Sequence, residues 1–437
     1  MQRDLEAKLR SWKDAKRRKP LILRGARQVG KTYLLKQFGK AEFIDLAYFN
    51  FEEDPRLEDF FKGKLDPLKI IKNLSIYRGV SIEPERTLVV FDEIQGSSLA
   101  LTSLKYFSEE ARQYPIIAAG SLLGIKLAGA QSFPVGKVDF LNLYPLTFFE
   151  FLSALGKNDL RAYLETGETA DPMATPFHEE LLELLKAYFF VGGMPESVEL
   201  YRTGEKPEEV RRIQSHILQS YLLDFSKYAP PTDVIKTTQI WNAIPGQLAK
   251  ENRKFIFSAI AKSARAREYE SAIQWLSDAE LIFKIPRIEV PRFPLGGYAD
   301  LNSFKVFLFD VGLLGTMAHL SPKTIIYGDS MFTEFKGALT ENFVAQELIA
   351  HLGQSLFYWK SASEAEVDFL IEHEGKVIPL EVKSRISVHS KSLKEYQKRF
   401  NPHWSVRVSP LNLQRQKELI NCPLYFLGAM IKLLSKL

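Results

Sequence analysis

Cysteine is almost absent: Cys422 stands alone in a chain of 437 residues. That excludes an internal disulfide and a metal centre built on a cysteine cluster, and it fits a reducing, cytoplasmic compartment. Histidine is sparse as well, and its seven residues show no metal-ligand spacing; His178 and His216 read as helix-surface residues. Long apolar runs are missing. The longest, such as Cys422 to Ile431, fall well short of the ~20 residues of a membrane-spanning helix, so no membrane association is expected. The opening Met1-Gln2-Arg3-Asp4-Leu5-Glu6 has no apolar stretch of the secretory kind. There is no Gly-x-Ser-x-Gly nucleophile elbow, no internal repeat and no low-complexity tract.

What is present is an ordinary globular balance, with 46% hydrophobic and 25% charged residues. A chain this long suggests two to four domains. The net charge of +5 is modest, but it is unevenly spread. Residues 1–20 hold eight Lys/Arg against three Asp/Glu, and residues 376–437 hold twelve against three. A basic end of this kind either meets nucleic acid or is a solvated face.

The first part alternates short apolar runs with helical patterns, the mark of parallel α/β units. Strands are expected at Leu21 to Leu23, Phe43 to Phe51, Leu88 to Phe91, Ile116 to Ala119 and Val138 to Leu143, with a helix opening at Thr32. After Pro145 the spacing turns helical, broken sharply at Gly192-Gly193-Met194-Pro195. Glu268 to Leu281, Ile282 to Val290 and Val306 to Phe309 read as helix, strand, strand, which suits a winged helix. Lys262, Arg265 and Arg267 near its start would touch phosphate or be solvated. A helix from Lys336 to His351 then precedes strands at Leu356 to Trp359, Glu366 to Ile371 and Val377 to Val382.

Gly25-Ala26-Arg27-Gln28-Val29-Gly30-Lys31-Thr32 matches G-x-x-x-x-G-K-[ST] in full, between a strand and a helix. Glycines let successive backbone N–H groups turn toward phosphate oxygens, and the helix N-terminus adds positive partial charge. Lys31 would reach the β and γ phosphates of ATP, and Thr32 would offer a hydroxyl to Mg²⁺. The strand ending in Asp92-Glu93 supplies the other half. Asp92 would hold Mg²⁺, usually through water, and Glu93 would act as the general base on the attacking water. Ser121, after the next strand, would sense the γ phosphate, though Gly-Ser is also a common turn.

These segments, with Tyr144-Pro145-Leu146, resemble the prokaryotic AAA-type P-loop ATPases that carry a C-terminal domain of unknown function, and the resemblance spans nearly the whole chain. It implies a sheet in which the sensor strand lies between the phosphate-loop and Asp-Glu strands. It also implies that the Pro195 of Gly193-Met194-Pro195 packs near adenine; the alternative is a helix-breaking turn. No arginine finger is assigned. Arg27 is inside the loop, Arg78, Arg86 and Arg112 flank the core, and Lys137 stands where relatives carry arginine.

A second constellation lies near the end. Twelve residues separate Asp368 from Glu381, and Glu374-Gly375 between them is a turn signal, so a hairpin is expected. Glu381 and Lys383 share one strand face. Asp368, Glu381 and the preceding Glu341 could hold a second Mg²⁺ or Mn²⁺, with Lys383 orienting water against a phosphodiester. This arrangement resembles the D…(D/E)-x-K core of restriction-endonuclease-like nucleases. The alternatives are a charged surface hairpin or that fold with a dead site.

The expected organisation is therefore an AAA-type P-loop domain with helical extension (1–195), a helical and winged-helix-like region (196–328) and a PD-(D/E)xK nuclease-like α/β domain (329–437). The expected function is ATP binding and hydrolysis coupled to that last domain. An ATP-regulated Mg-dependent nuclease and an ATP-gated interaction scaffold are the alternatives. DNA or RNA and further copies of the chain are candidate partners.

Overall fold

The computed structural model describes residues 1–121, 123–125, 136–166, 171–250, 254–262, 264–322, 335–361, 365–384 and 390–436. They part into two compact units, one of residues 2–144 with 278–281, the other of Met1, 145–277 and 282–437. The boundary expected between 328 and 329 lies outside the described residues.

In the smaller unit, α1 (Leu5–Lys13) is followed by β1 (Leu21–Arg24), α2 (Lys31–Glu42), β2 (Asp45–Asn50), α3 (Pro67–Arg78), β3 (Thr87–Asp92), α4 (Ser98–Glu110), β4 (Ile116–Ala119) and β5 (Asp139–Asn142). The strands are all parallel, in the order β2-β3-β4-β1-β5. Parallel strands joined by helical crossovers are covered on both faces. That is why Leu88 to Phe91 and Ile116 to Ala119 are apolar throughout, and why every residue of β3 and β4 is buried. Phe91 centres the core on one face, meeting Phe51 and Phe61 edge-on at 5.8 and 5.7 Å. The helix ends follow local chemistry. Asp66 accepts hydrogen bonds from the Leu68 and Lys69 amides ahead of Pro67, and left-handed Gly79 closes α3. As the resemblance implied, β4 lies between β1 and β3.

The larger unit begins with helices and ends in a mixed sheet of β6 (Ile282–Ile288), β7 (Ala299–Leu308), β8 (Phe357–Lys360), β9 (Glu366–His373), β10 (Lys376–Val382), β11 (Ser405–Ser409), β12 (Gln414–Gln416) and β13 (Leu419–Pro423). The order is β12-β13-β11-β10-β9-β8-β6-β7. The expected hairpin is there: β9 and β10 pair antiparallel through Glu374 and Gly375, both in the left-handed region as a two-residue turn requires. The helix, strand, strand run is also there, as Ala266–Asp278, β6 and β7. Its strands do not make a wing of their own, because β6 pairs with β8 and so extends the C-terminal sheet.

Helix Lys336–Leu352 is buried from Ala338 to Leu348. A buried helix face tolerates polar groups only when they are paired, and here they tie backbone ends together. Asn342 accepts from the Leu308 amide and donates to its carbonyl (2.7 and 2.9 Å). Gln346 accepts from the Val311 amide at 3.0 Å, and Glu347 from the Phe148 amide at 2.9 Å. His178, expected on a surface, is half-buried and bonded to the Tyr425 hydroxyl at 2.7 Å, because its helix packs against the chain's end; His216 is exposed. Among the described residues no helix is long and apolar enough to cross a membrane.

Candidate nucleotide site and a C-terminal charge cluster

The phosphate loop connects β1 to α2. Gly25 (φ +154) lies so close to the Leu143 carbonyl that a Cβ would collide with it, and Gly30 (φ +96) is left-handed immediately before α2. Ala26 and Val29 are buried, Arg27 is half-buried and Gln28 is exposed. The loop therefore stands on its small and apolar members and turns its polar ones outward. Arg3, which nothing in the sequence singled out, braces it from below: its guanidinium donates to the Val29 carbonyl at 2.9 Å and to the Tyr144 carbonyl at 2.5 Å.

Lys31 is 6% exposed, and its ammonium donates to the Gly25 and Ala26 carbonyls at 2.8 and 2.9 Å. Burial lowers its pKa, opposed by the charges of Glu93, Glu280 and Asp92. A cation held this way is short of partners and suited to phosphate oxygens. Thr32 Oγ1 donates to Asp92 Oδ2 at 2.6 Å, so the two expected Mg²⁺ residues are in direct contact. Tyr48, on the neighbouring β2, donates to the same oxygen at 2.7 Å. Burial, with Asp92 beside it, raises the Tyr48 pKa well above the ordinary phenol value, which keeps it a donor. The Glu93 amide takes Asp92 Oδ1 at 3.0 Å. Asp92 is thus buried with both oxygens engaged.

Glu93 has a left-handed backbone (φ +50), which turns its chain out of the strand line. Its carboxylate accepts from the Gln95 side-chain amide. Gln95 lies against Gly120, where any Cβ would strike its Oε1, so it bridges the ends of β3 and β4. Ser121 follows β4 and is buried. Nothing in the sequence singles out Gln95 or Tyr48; the sheet order gives them their meaning. Glu280, from the 278–281 segment of this unit, lies 3.9 Å from Arg24 Nε, and burial raises its pKa while Arg24 and Lys31 oppose the rise.

The other arginines near the core have structural partners. Arg78 pairs with Asp45 at 2.6 Å, Arg86 with Glu83 at 3.0 Å, and Lys137 with Glu109 at 2.8 Å, while Arg112 donates to the Ser108 carbonyl. Pro195 belongs to the larger unit and is the first residue of helix Pro195–Arg202, where its missing N–H costs nothing. The preceding Gly193 amide donates to Asp310 at 2.7 Å.

The C-terminal carboxylates meet lysines. Lys305, on β7, is fully buried; its Nζ lies 2.6 Å from Glu366, 3.7 Å from Asp368 and 3.9 Å from Glu341. Asp368 also accepts from the Val382 amide at 2.8 Å. Glu381 Oε1 pairs with Lys383 at 2.7 Å. Its register partner on β11 is Arg407, and its other oxygen has no hydrogen-bond partner among the described residues. Asp368 and Glu381 stand on the two paired strands, Lys383 just past β10 and Glu341 on helix Lys336–Leu352. However, no group of three or more metal-ligating side chains is set for an ion among the described residues. Lys305 Nζ stands within 4 Å of Asp368 and Glu341, so a second Mg²⁺ or Mn²⁺ on those two carboxylates would have to displace it.

Three segments match known families. Residues 17–152 match an AAA domain, residues 182–324 a domain of unknown function (DUF8612), and residues 336–425 a further domain of unknown function (DUF4143). No curated protein matches the chain. Among solved structures it is similar to a Walker-type ATPase of Pyrococcus abyssi, at 15% identity over 72% of this chain and 95% of that one, with a TM-score of 0.45. It is also similar to the Orc1 protein of Aeropyrum pernix in complex with DNA, at 14% identity over 73% and 93%, with a TM-score of 0.32. Likenesses this loose say nothing about what this chain binds. The segment match and the phosphate-loop geometry agree, and residues 17–152 form an AAA-type P-loop domain.

Proposed function

We propose that the protein binds ATP with Mg²⁺ at Gly25 to Thr32 and hydrolyses it, and that the nucleotide state reaches the C-terminal α/β part through residues 278–281. The observation that carries the reading is the contact of Thr32 with Asp92 at 2.6 Å, with Glu93 next in the chain and its carboxylate already held by Gln95. Mg²⁺ on Thr32 and Asp92 would neutralise charge on the β and γ phosphates. Lys31 exchanges the Gly25 and Ala26 carbonyls for phosphate oxygens, and the loop amides take the rest. Glu93 accepts the proton of the attacking water, while Ser121 at the neighbouring strand end senses the γ phosphate. The adenine contact of Pro195 rests on the family resemblance alone.

Gln95 is a positioning residue in this scheme. Gln95→Ala should lower kcat about 10- to 100-fold while leaving the Kd for ATP unchanged, since a base out of line loses rate before it loses substrate. Steady-state turnover with an independent binding titration checks the split.

Coupling is supported by Glu280. Incoming phosphate places like charge near its carboxylate and competes for Lys31 and Arg24. The segment 278–281 is continuous with β6 of the C-terminal sheet. Hydrogen exchange of amides 278–282 should quicken on adding a non-hydrolysable ATP analogue, and should not respond in Lys31→Ala. Unchanged exchange in the wild type with analogue bound would remove the coupling route.

A division near 328 is supported by separate family matches at 182–324 and 336–425, whereas one at 195 is not, because a single match runs through it and residues 145–195 belong to the larger unit. A PD-(D/E)xK-like fold for the last part is supported by helix Lys336–Leu352 preceding the β9–β10 hairpin with its carboxylates. A non-cutting, ATP-gated scaffold is favoured over a nuclease by the lysine at the acidic centre. Helix Lys391–Phe400 buries Leu393 and Tyr396 and exposes Lys391, Lys394, Lys398 and Arg399, a face suited to phosphate backbone.

A further inference from the structure

Lys305 is an unusual residue for its place. Lysine is almost never fully buried unless paired, and this one is buried on β7 with three carboxylates from two other elements around it: Glu366 and Asp368 of β9, and Glu341 of helix Lys336–Leu352. The ring of Tyr358 lies 5.0 Å beneath the ammonium. Lys360 adds a second positive charge on the far oxygen of Glu366, at 3.4 Å. Phe307 of β7 and Phe369 of β9, two and one residues further along, also stand 5.6 Å apart.

A group of buried carboxylates must be neutralised by protons, by a metal ion or by a fixed cation. Here the fixed cation is present. Its approach to Glu366 is close but not aligned as a hydrogen bond, so the contact is one of charge at the middle of the group. A divalent ion bound by these carboxylates would need oxygen ligands at about 2.0–2.6 Å, and it would have to sit beside the ammonium. At about 3–4 Å from the ammonium, mutual repulsion disfavours the divalent ion.

We propose that Lys305 is an internal counter-ion that takes the place of a divalent metal at this sheet corner, so that Glu341, Glu366 and Asp368 form a structural ion-pair cluster with no metal requirement. The proposal is independent of the ATP site. It assigns the cluster to holding β7, β9 and helix Lys336–Leu352 together.

The test is Mn²⁺ binding by electron paramagnetic resonance on the full chain without nucleotide, with thermal unfolding alongside. Wild type should show no Mn²⁺ site that disappears in Asp368→Asn. Lys305→Met should melt about 5–15 °C lower, gain one Mn²⁺ site at least about tenfold tighter than any in wild type, lose it again when combined with Asp368→Asn, and recover part of its melting temperature with Mn²⁺. If Lys305→Met does not fold, Lys305→Met with Glu366→Gln, which removes one charge of each sign, should. An Asp368-dependent Mn²⁺ site in wild type would overturn the proposal. So would a folded Lys305→Met without a new site, or failure of the charge-balanced pair to fold.

Discussion

Lys31→Ala is expected to weaken ATP binding about 10²–10³-fold, the loss of a charge-assisted contact worth roughly 2–5 kcal/mol in a desolvated site. The effect is large because the ammonium is already stripped of water and hydrogen-bonded to two neutral loop carbonyls at 2.8 and 2.9 Å. Phosphate oxygens are better partners than neutral carbonyls, and the exchange strengthens binding. The fold should be indifferent or slightly helped. Burial disfavours the charged form of Lys31, and alanine is the better residue at a helix start's first turn. Isothermal titration with ATP and Mg²⁺, with melting temperature as control, separates the two. Affinity within about threefold of wild type would mean the loop does not cradle a triphosphate, and the proposed function would fall with it.

Glu93→Gln should give the opposite split: nucleotide bound nearly as in wild type, turnover reduced about 10²–10⁴-fold, the usual worth of a general base. Glutamine matches the shape and keeps a hydrogen-bonding end for Gln95, but it cannot take a proton from water. Asp92 stays engaged by Thr32, Tyr48 and the residue 93 amide, none of which the change removes. A single-turnover measurement reads the step directly. Turnover equal to wild type would transfer the base role to another group, and Lys31→Ala and Glu93→Gln behaving alike would sink the division of labour between them.

Much of the nucleotide site is legible in the sequence because its parts are local. A phosphate loop is a run of contiguous residues whose backbone conformation follows from two glycines and a following helix. The Asp-Glu pair is marked by an apolar strand that must be covered on both faces. The C-terminal hairpin is legible for the same reason, through a two-residue turn at Glu374 and Gly375. The helix, strand, strand run is legible too, but its pairing is not. Which neighbour a strand takes depends on distant residues, and β6 chose β8.

By itself, then, the sequence determined where the phosphate-loop motif lies and which acids stand at the end of the neighbouring apolar strand, since short-range backbone geometry and hydrophobic burial decide both. Only the tertiary structure decided what surrounds those groups: Arg3 beside the loop, Tyr48 and Gln95 around Asp92 and Glu93, and Lys305 beside Asp368 and Glu341, two of the three carboxylates the sequence suggested for a metal. Charges distant in the chain are brought within a few ångströms by strand pairing and helix packing. No local pattern encodes that distance, yet at such range it settles whether acids face an ion or an ammonium.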